Sequence, residues 1–240
     1  MSLMLHCGSQ LVSRDELRSV PCPSGEGRWK PVPHGTVADT IFNELSDRGL
    51  KEKVESEEWG LNQSQTQMFG VIRFQDDNGD GMTKSIGVRN SINKTLSVGI
   101  IASYRLLVCD NLMFACGEDG VKIEKRHTIG LDVKSIVWYA LDNIESSFDV
   151  LSNHIELMKS TKITDDRARV ICCKAAEMRA IRPSHITKAL SIYFNPIHAE
   201  FRSRTLFSLY NSLNEMPKEY GAQKAFYCHQ KLADLFKEVA

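Results

Sequence analysis

Seven apolar residues recur at spacings of 4, 3, 4, 3, 4 and 3: Val137, Leu141, Ile144, Phe148, Leu151, Ile155 and Met158. A run this regular is helical, because positions three and four apart lie on one face of an α-helix. Sustained so long, it draws a narrow seam of the kind that holds bundles and coiled coils together. The chain from about residue 130 onward is thereby committed to helices. Packing within a bundle of the same chain is the expected use of the stripe, and a homo-oligomer formed through it is the alternative.

Upstream the rhythm falls to two. The segments VESEEWGL, QMFGVIRF, TKSIGVRNS, LSVGIIASYRLLVC and VKIEKRHT, between residues 53 and 128, read as strands, with alternation clearest over 68–74 and 85–91. Between the second and third lies QDDNGDGM, whose Asn-Gly and Asp-Gly pairs suit a tight reversal. One helix precedes the strands, with Thr36 as its expected cap, Val37, Ile41, Phe42 and Leu45 as its apolar stripe, and Gly49 as its stop. Further helices are expected after Thr164, after Ser184, over about 201–214 and from about 221 onward. Strands first and helices second predict an α+β fold, an N-terminal antiparallel β-meander with one preceding helix followed by a C-terminal helical bundle. Residues 1–35 carry Pro21, Pro23, Pro31 and Pro33 with Gly25, Gly27 and Gly35, and read as an extended leader. Residues 36–129 then form the sheet region, and 130–240 the helical region packed on it as one unit.

Charge limits the partners. Lys plus Arg and Asp plus Glu each number 30, so the chain is neutral and lacks the overall basicity of many nucleic-acid binders. Locally it is uneven: residues 44–80 are net negative by five, and residues 84–134 net positive by three. The seven cysteines are odd in number and form no C-x-x-C, which fits reduced, buried thiols in a cytoplasmic setting. No apolar run approaches the ~20 residues of a membrane span, and the first residues lack the pattern of a signal peptide.

Several blocks resemble a known family. WKPVPHGTVADTIFNEL (29–45), with its Pro-x-Pro-His before a helix, is similar to the opening of domain-of-unknown-function 932 proteins. SEEWGLNQSQTQMFGVIRF, IGVRNSINKTLSVGIIASYRLLVCDNLMFAC and EKRHT resemble its strand region, GVRNS, VCDNL and KRHT most tellingly. RTLFSLYNSLNE (204–215) resembles its late helix, where Phe207 stands at a position more usually Trp. The resemblance covers roughly residues 29–215 and implies a phage or plasmid setting, with the host cytosol as the compartment of a phage-encoded member. It implies no particular enzymatic activity.

The candidate sites are few. Asp76, Asn78 and Asp80 before Gly81 imitate the start of a calcium loop, but the twelfth position is Gly87 instead of the required Glu and the flanks are strands, so a hairpin tip is expected. His127 has no neighbouring His to work with, and Cys109 with Asp110 and His127 has no nucleophile elbow. His185, His198 and His229 show no zinc spacing. No catalytic constellation, metal site or cofactor is expected. What remains is the basic strand region, where Arg89, Lys94, Arg105, Lys125 and Arg126 could contact phosphates, with Asn90, Ser91 and His127 as neutral donors. The alternative is a solvated rim with modest ion pairs. Aromatic residues for stacking are thin there, Tyr104 being the nearest. The leading expectation is thus a mobile-element accessory protein binding single-stranded DNA in replication or recombination. The alternative is a protein–protein module that inhibits or redirects a host factor such as a defence system.

Overall fold

Each alternating segment contains a strand, the first two residue for residue and the last two over a shorter span. In the computed structural model, which describes residues 10–75, 82–106, 112–114 and 122–240, β2 (Val54–Leu61), β3 (Gln67–Phe74), β4 (Met82–Ser91) and β5 (Val98–Leu106) form the expected antiparallel meander. The reversal between β3 and β4, including Asp76, Asn78, Asp80 and Gly81, lies outside the described residues. β1 (Gln10–Val12) lengthens the sheet beyond β2, pairing with the last three residues of that strand. At the opposite side β6 (Leu112–Phe114) and β7 (Lys122–Lys125) share the outer edge of β5, one beside residues 103–105 and the other beside 98–101.

Eight helices accompany the sheet among the described residues. They are α1 (Arg14–Ser19), α2 (His34–Asp47), α3 (Val133–Asp142), α4 (Ile144–Ser160), α5 (Asp165–Glu177), α6 (Ile186–Phe194), α7 (Leu206–Asn214) and α8 (Ala222–Val239). The α+β class is as the periodicities require. Helix α5 is capped by Thr164, whose hydroxyl accepts from the Arg167 amide at 3.2 Å. No helix among the described residues is long and apolar enough to cross a membrane.

Two expectations change. Within the expected leader, residues 10–19 form β1 and α1, where Ser13 and Glu16 close a capping box and Leu17 is fully buried, while residues 20–33 enter no helix or strand. Helix α2 starts two residues before Thr36, from Pro33, whose carbonyl accepts from the Val37 amide at 3.3 Å. Proline's restricted φ suits such a start, so Thr36 sits inside the first turn and caps nothing. Its other end is as expected, with Gly49 at φ +66° just beyond the last turn, a conformation a side chain would resist.

The apolar seam is divided between two helices. Val137 and Leu141 lie on α3, and Ile144, Phe148, Leu151, Ile155 and Met158 on α4, with Asn143 leaving helical geometry between them. All seven are buried within this chain, none more than 4% exposed. Bundle packing therefore consumes the stripe, and an oligomer through it would have to open the core.

The two faces of the sheet are covered differently. Met68, Ile72, Ile86, Val88 and Ile100 point to the side of α2, α3 and α4, where Phe74 meets Phe148 edge-on with ring centroids 6.4 Å apart. Phe69, Val71 and Ile101 point the other way together with Arg73, Ser85 and Arg89, and are equally buried. Helix α8 approaches on that second side, with Tyr227 against Arg89. Behind α4 the helical layer gathers around α7, all nine residues of which are buried against α4, α6 and α8.

Candidate functional site

Chain segments far apart in sequence meet at one end of the sheet. Residues 26–34 run across the ends of β4 and β7 before entering α2. Trp29 bridges to Thr128, the Lys30 amide donates to the His127 carbonyl at 3.4 Å, and the Ile129 amide donates to the Arg28 carbonyl at 3.1 Å. The amide of Asn90 donates to the Val32 carbonyl at 2.9 Å and lies 3.0 Å from His34 Nδ1. His34 Nδ1 is thus the acceptor, and its Nε2–H donates to the Gln65 carbonyl at 3.2 Å. Burial, reinforced by nearby His127, holds the His34 pKa down at about 4, so the ring is neutral. Three sequence blocks that carry the family resemblance, WKPVPH, GVRNS and KRHT, are joined here by hydrogen bonds.

The expected site residues divide into two groups. Arg89 is 2% exposed, paired with Glu124 at 2.8 Å and bonded to Ser97 Oγ at 3.3 Å. Gly99 makes room for it, since a Cβ there would stand 2.9 Å from Arg89 Cγ. Asn90 is fully buried in the junction just described. Ser91, also fully buried, exchanges two 2.9 Å hydrogen bonds with the Leu96 main chain and so closes the β4–β5 turn. These three position the strand ends and do not face solvent. Arg105 lies in β5 with its backbone opposite Thr83 and Leu112.

Lys94, Lys125 and Arg126 do face solvent. Lys94 pairs with Glu26 at 2.5 Å and lies 4.9 Å from the centre of the Trp29 ring. Lys125 and Arg126 make no ion pair with the described residues, and Arg28 and Lys30, exposed beside them, make none either. Six cations therefore stand at this end, Arg28, Lys30, Arg89, Lys94, Lys125 and Arg126, against the carboxylates of Glu26 and Glu124. Beneath them lie polar atoms with no partner among the described residues: both ring nitrogens of His127, Oδ1 of Asn90 and Nε1 of Trp29. His127 is 5% exposed, and burial lowers its pKa, which keeps it neutral. Buried polar atoms without partners cost about 1–3 kcal/mol each, and such atoms collect where a protein holds water or a ligand.

Sequence reasoning missed Arg28, Trp29, Lys30 and His34. Trp29 is the aromatic surface the basic strands lack, and it reaches them through contacts spanning more than sixty positions, such as Glu26 with Lys94. Its only local signal is its place in the WKPVPH block. Cys109 and Asp110, the thiol and acid considered with His127, lie outside the described residues. Among the described residues no group of three or more His, Cys, Asp or Glu could hold a metal ion. His185 bonds Tyr220 at 3.1 Å and Glu219 at 3.3 Å, and His229 bonds Asn214 at 2.8 Å, each within its own part of the helical layer.

In comparison with known proteins, the family model Domain of unknown function (DUF932) fits residues 24–233. No curated protein and no solved structure matches the chain.

Proposed function

The chain belongs to the domain-of-unknown-function 932 family, and from that premise we propose that it is a phage or mobile-element accessory protein that binds single-stranded DNA in replication or recombination. The observation carrying this reading is the basic rim at the Trp29 end of the sheet, in which Arg28, Lys30, Lys94, Lys125 and Arg126 are exposed and Lys94 lies 4.9 Å from the centre of the Trp29 ring. Cations that track a phosphate backbone, with an aromatic face for the bases, are what single-strand binding requires. The phosphate contacts fall to these five exposed side chains, while Arg89, Asn90 and Ser91 hold the strand ends that present them.

Fluorescence anisotropy with single-stranded and duplex oligonucleotides across a salt series tests it. The expected result is a preference for single strands and a loss of roughly 20–100-fold between 50 and 200 mM salt, as four or so phosphate contacts would give. Lys125→Glu with Arg126→Glu should weaken binding at least tenfold, and Trp29→Ala should remove about 1–3 kcal/mol of stacking. Binding of wild type and variants alike, or no binding at low salt, would sink the reading. A second reading, a protein–protein module acting on a host factor, draws support from Trp138 and Tyr139 on α3, which are 50% and 57% exposed. A nuclease-resistant, stoichiometric host complex lost on Trp138→Ala and Tyr139→Ala would favour it.

A further inference from the structure

A second group of cations lies on the α8 side of the sheet, outside the rim. Arg179, Lys224 and Lys231 line an open concavity of about 350 Å³ together with Tyr227 and Cys228, and no carboxylate is among the described residues that line it. Ordinary structural duties account for only part of this charge. Lys231 Nζ donates to the Met178 carbonyl at 2.9 Å, which satisfies the end of α5. Lys224 lies 4.7 Å from the Tyr220 ring centre, and Arg179, exposed and at φ +58°, makes no side-chain hydrogen bond or ion pair with the described residues. Like charges so gathered repel one another, and an anion between them reverses the sign of that energy.

The concavity is joined to the rim through a chain of contacts. Tyr227, 42% exposed, lies 5.4 Å from the Arg89 guanidinium, and Arg89 pairs with Glu124 on β7, the strand that Arg126 follows in sequence. We propose that the Arg179–Lys224–Lys231 concavity is a second phosphate-binding site, which takes a backbone phosphate of the same single strand with a base against Tyr227. This rests on the single-strand reading of the rim. The shared chemistry is a phosphate next to a planar base, which a free mononucleotide also offers.

The test compares Arg179→Gln/Lys224→Gln with the rim variant Lys125→Glu/Arg126→Glu, binding an oligothymidine of about twenty nucleotides. In parallel, the amide NMR signals of residues 224–231 are followed while thymidine 5′-monophosphate is added to the wild-type protein. The expected result is about tenfold weaker oligonucleotide binding in the Arg179→Gln/Lys224→Gln protein, with a salt slope shallower by about 1.4, two contacts' worth. Both substitutions are at exposed positions, and an unchanged melting temperature confirms that the fold is intact. If the rim variant loses binding and the concavity variant keeps wild-type affinity, the second site is overturned and the rim stands. If the wild type binds no oligonucleotide, the rim reading fails by itself. Saturable shifts in residues 224–231 with the mononucleotide would then uphold the phosphate site with a free nucleotide as its source, and no shifts would overturn it.

Discussion

At the scale of single residues, the buried histidines tie stability to pH. His34 has its pKa lowered to about 4 and His229 to about 3, burial being the first cause of each. A folded-state pKa below the unfolded value of about 6.5 means that the unfolded chain takes up the proton first. Stability is therefore complete above pH 6.5 and is lost as the pH falls from 6.5 toward 4. For His34 alone the loss is about 3 kcal/mol by pH 4. Glutamine at position 34 could accept from Asn90 and donate to Gln65 without titrating. His34→Gln should flatten the melting temperature between pH 6.5 and 4 relative to wild type, and an equally steep profile would show that the protonation penalty lies elsewhere. The same junction explains why this site was half legible. Arg89, Asn90 and Ser91 are consecutive polar residues, which in sequence suggests a surface, and alternation tells which face each takes but not that helices cover both. The solvent-facing Lys125 and Arg126 follow Ile123 at the end of a short edge strand, and there polarity and exposure agree.

At the scale of elements, local pattern succeeded where one strand or helix decides its own geometry. β2 and β3 were readable to the residue because alternation and flanking turns coincide. The seam passes from α3 to α4 in a single 4–3 rhythm across Asn143, so spacing carries no sign of the break. Strand register depends on contacts that spacing does not contain, and Gly70 is the sharpest case. It stands opposite Trp59, and a Cβ there would fall 2.2 Å from Trp59 Cζ3. The indole cannot swing aside freely, being 2% exposed and bonded through Nε1 to Glu57 at 2.8 Å. Gly70→Ala should therefore cost about 3 kcal/mol, read as a shift of the urea midpoint with an unchanged slope. A loss below about 1 kcal/mol would mean the two strands can slide or bend around the added methyl.

At the scale of the whole molecule, the fold joins a sheet and a helical layer through one apolar cluster running from Leu17 to Phe236. Sequence reading left residues 10–20 out of the packed part of the chain, because Leu17 and Val20 are too few to show a rhythm. They are buried all the same, on a six-residue helix anchored by Arg18 to Asp39 at 2.7 Å. A short helix of that kind is defined by what it packs against.

That N-terminal segment also bears on how the molecule meets its own copies. Among the described residues β1 pairs with Trp59, Gly60 and Leu61 alone, and no strand pairs with the first five residues of β2 on that side. Open margins invite strand-to-strand growth into fibrils. Here the uncovered part carries Glu55, which is exposed, and Glu57 and Glu58, which are paired with Arg14 and Arg73, so a second molecule laid along it would set Glu55 against its own counterpart and would have to break these pairs. The acidic tract thus acts as a fence and β1 as its gate. Removing residues 1–12 should open the apolar end of β2 to self-association, and light scattering should find that added salt increases it as the fence is screened. If association weakened with salt, the carboxylates would not be what keeps copies apart. The negative charge of residues 44–80, which names no partner, would in this protein be part of what keeps it alone.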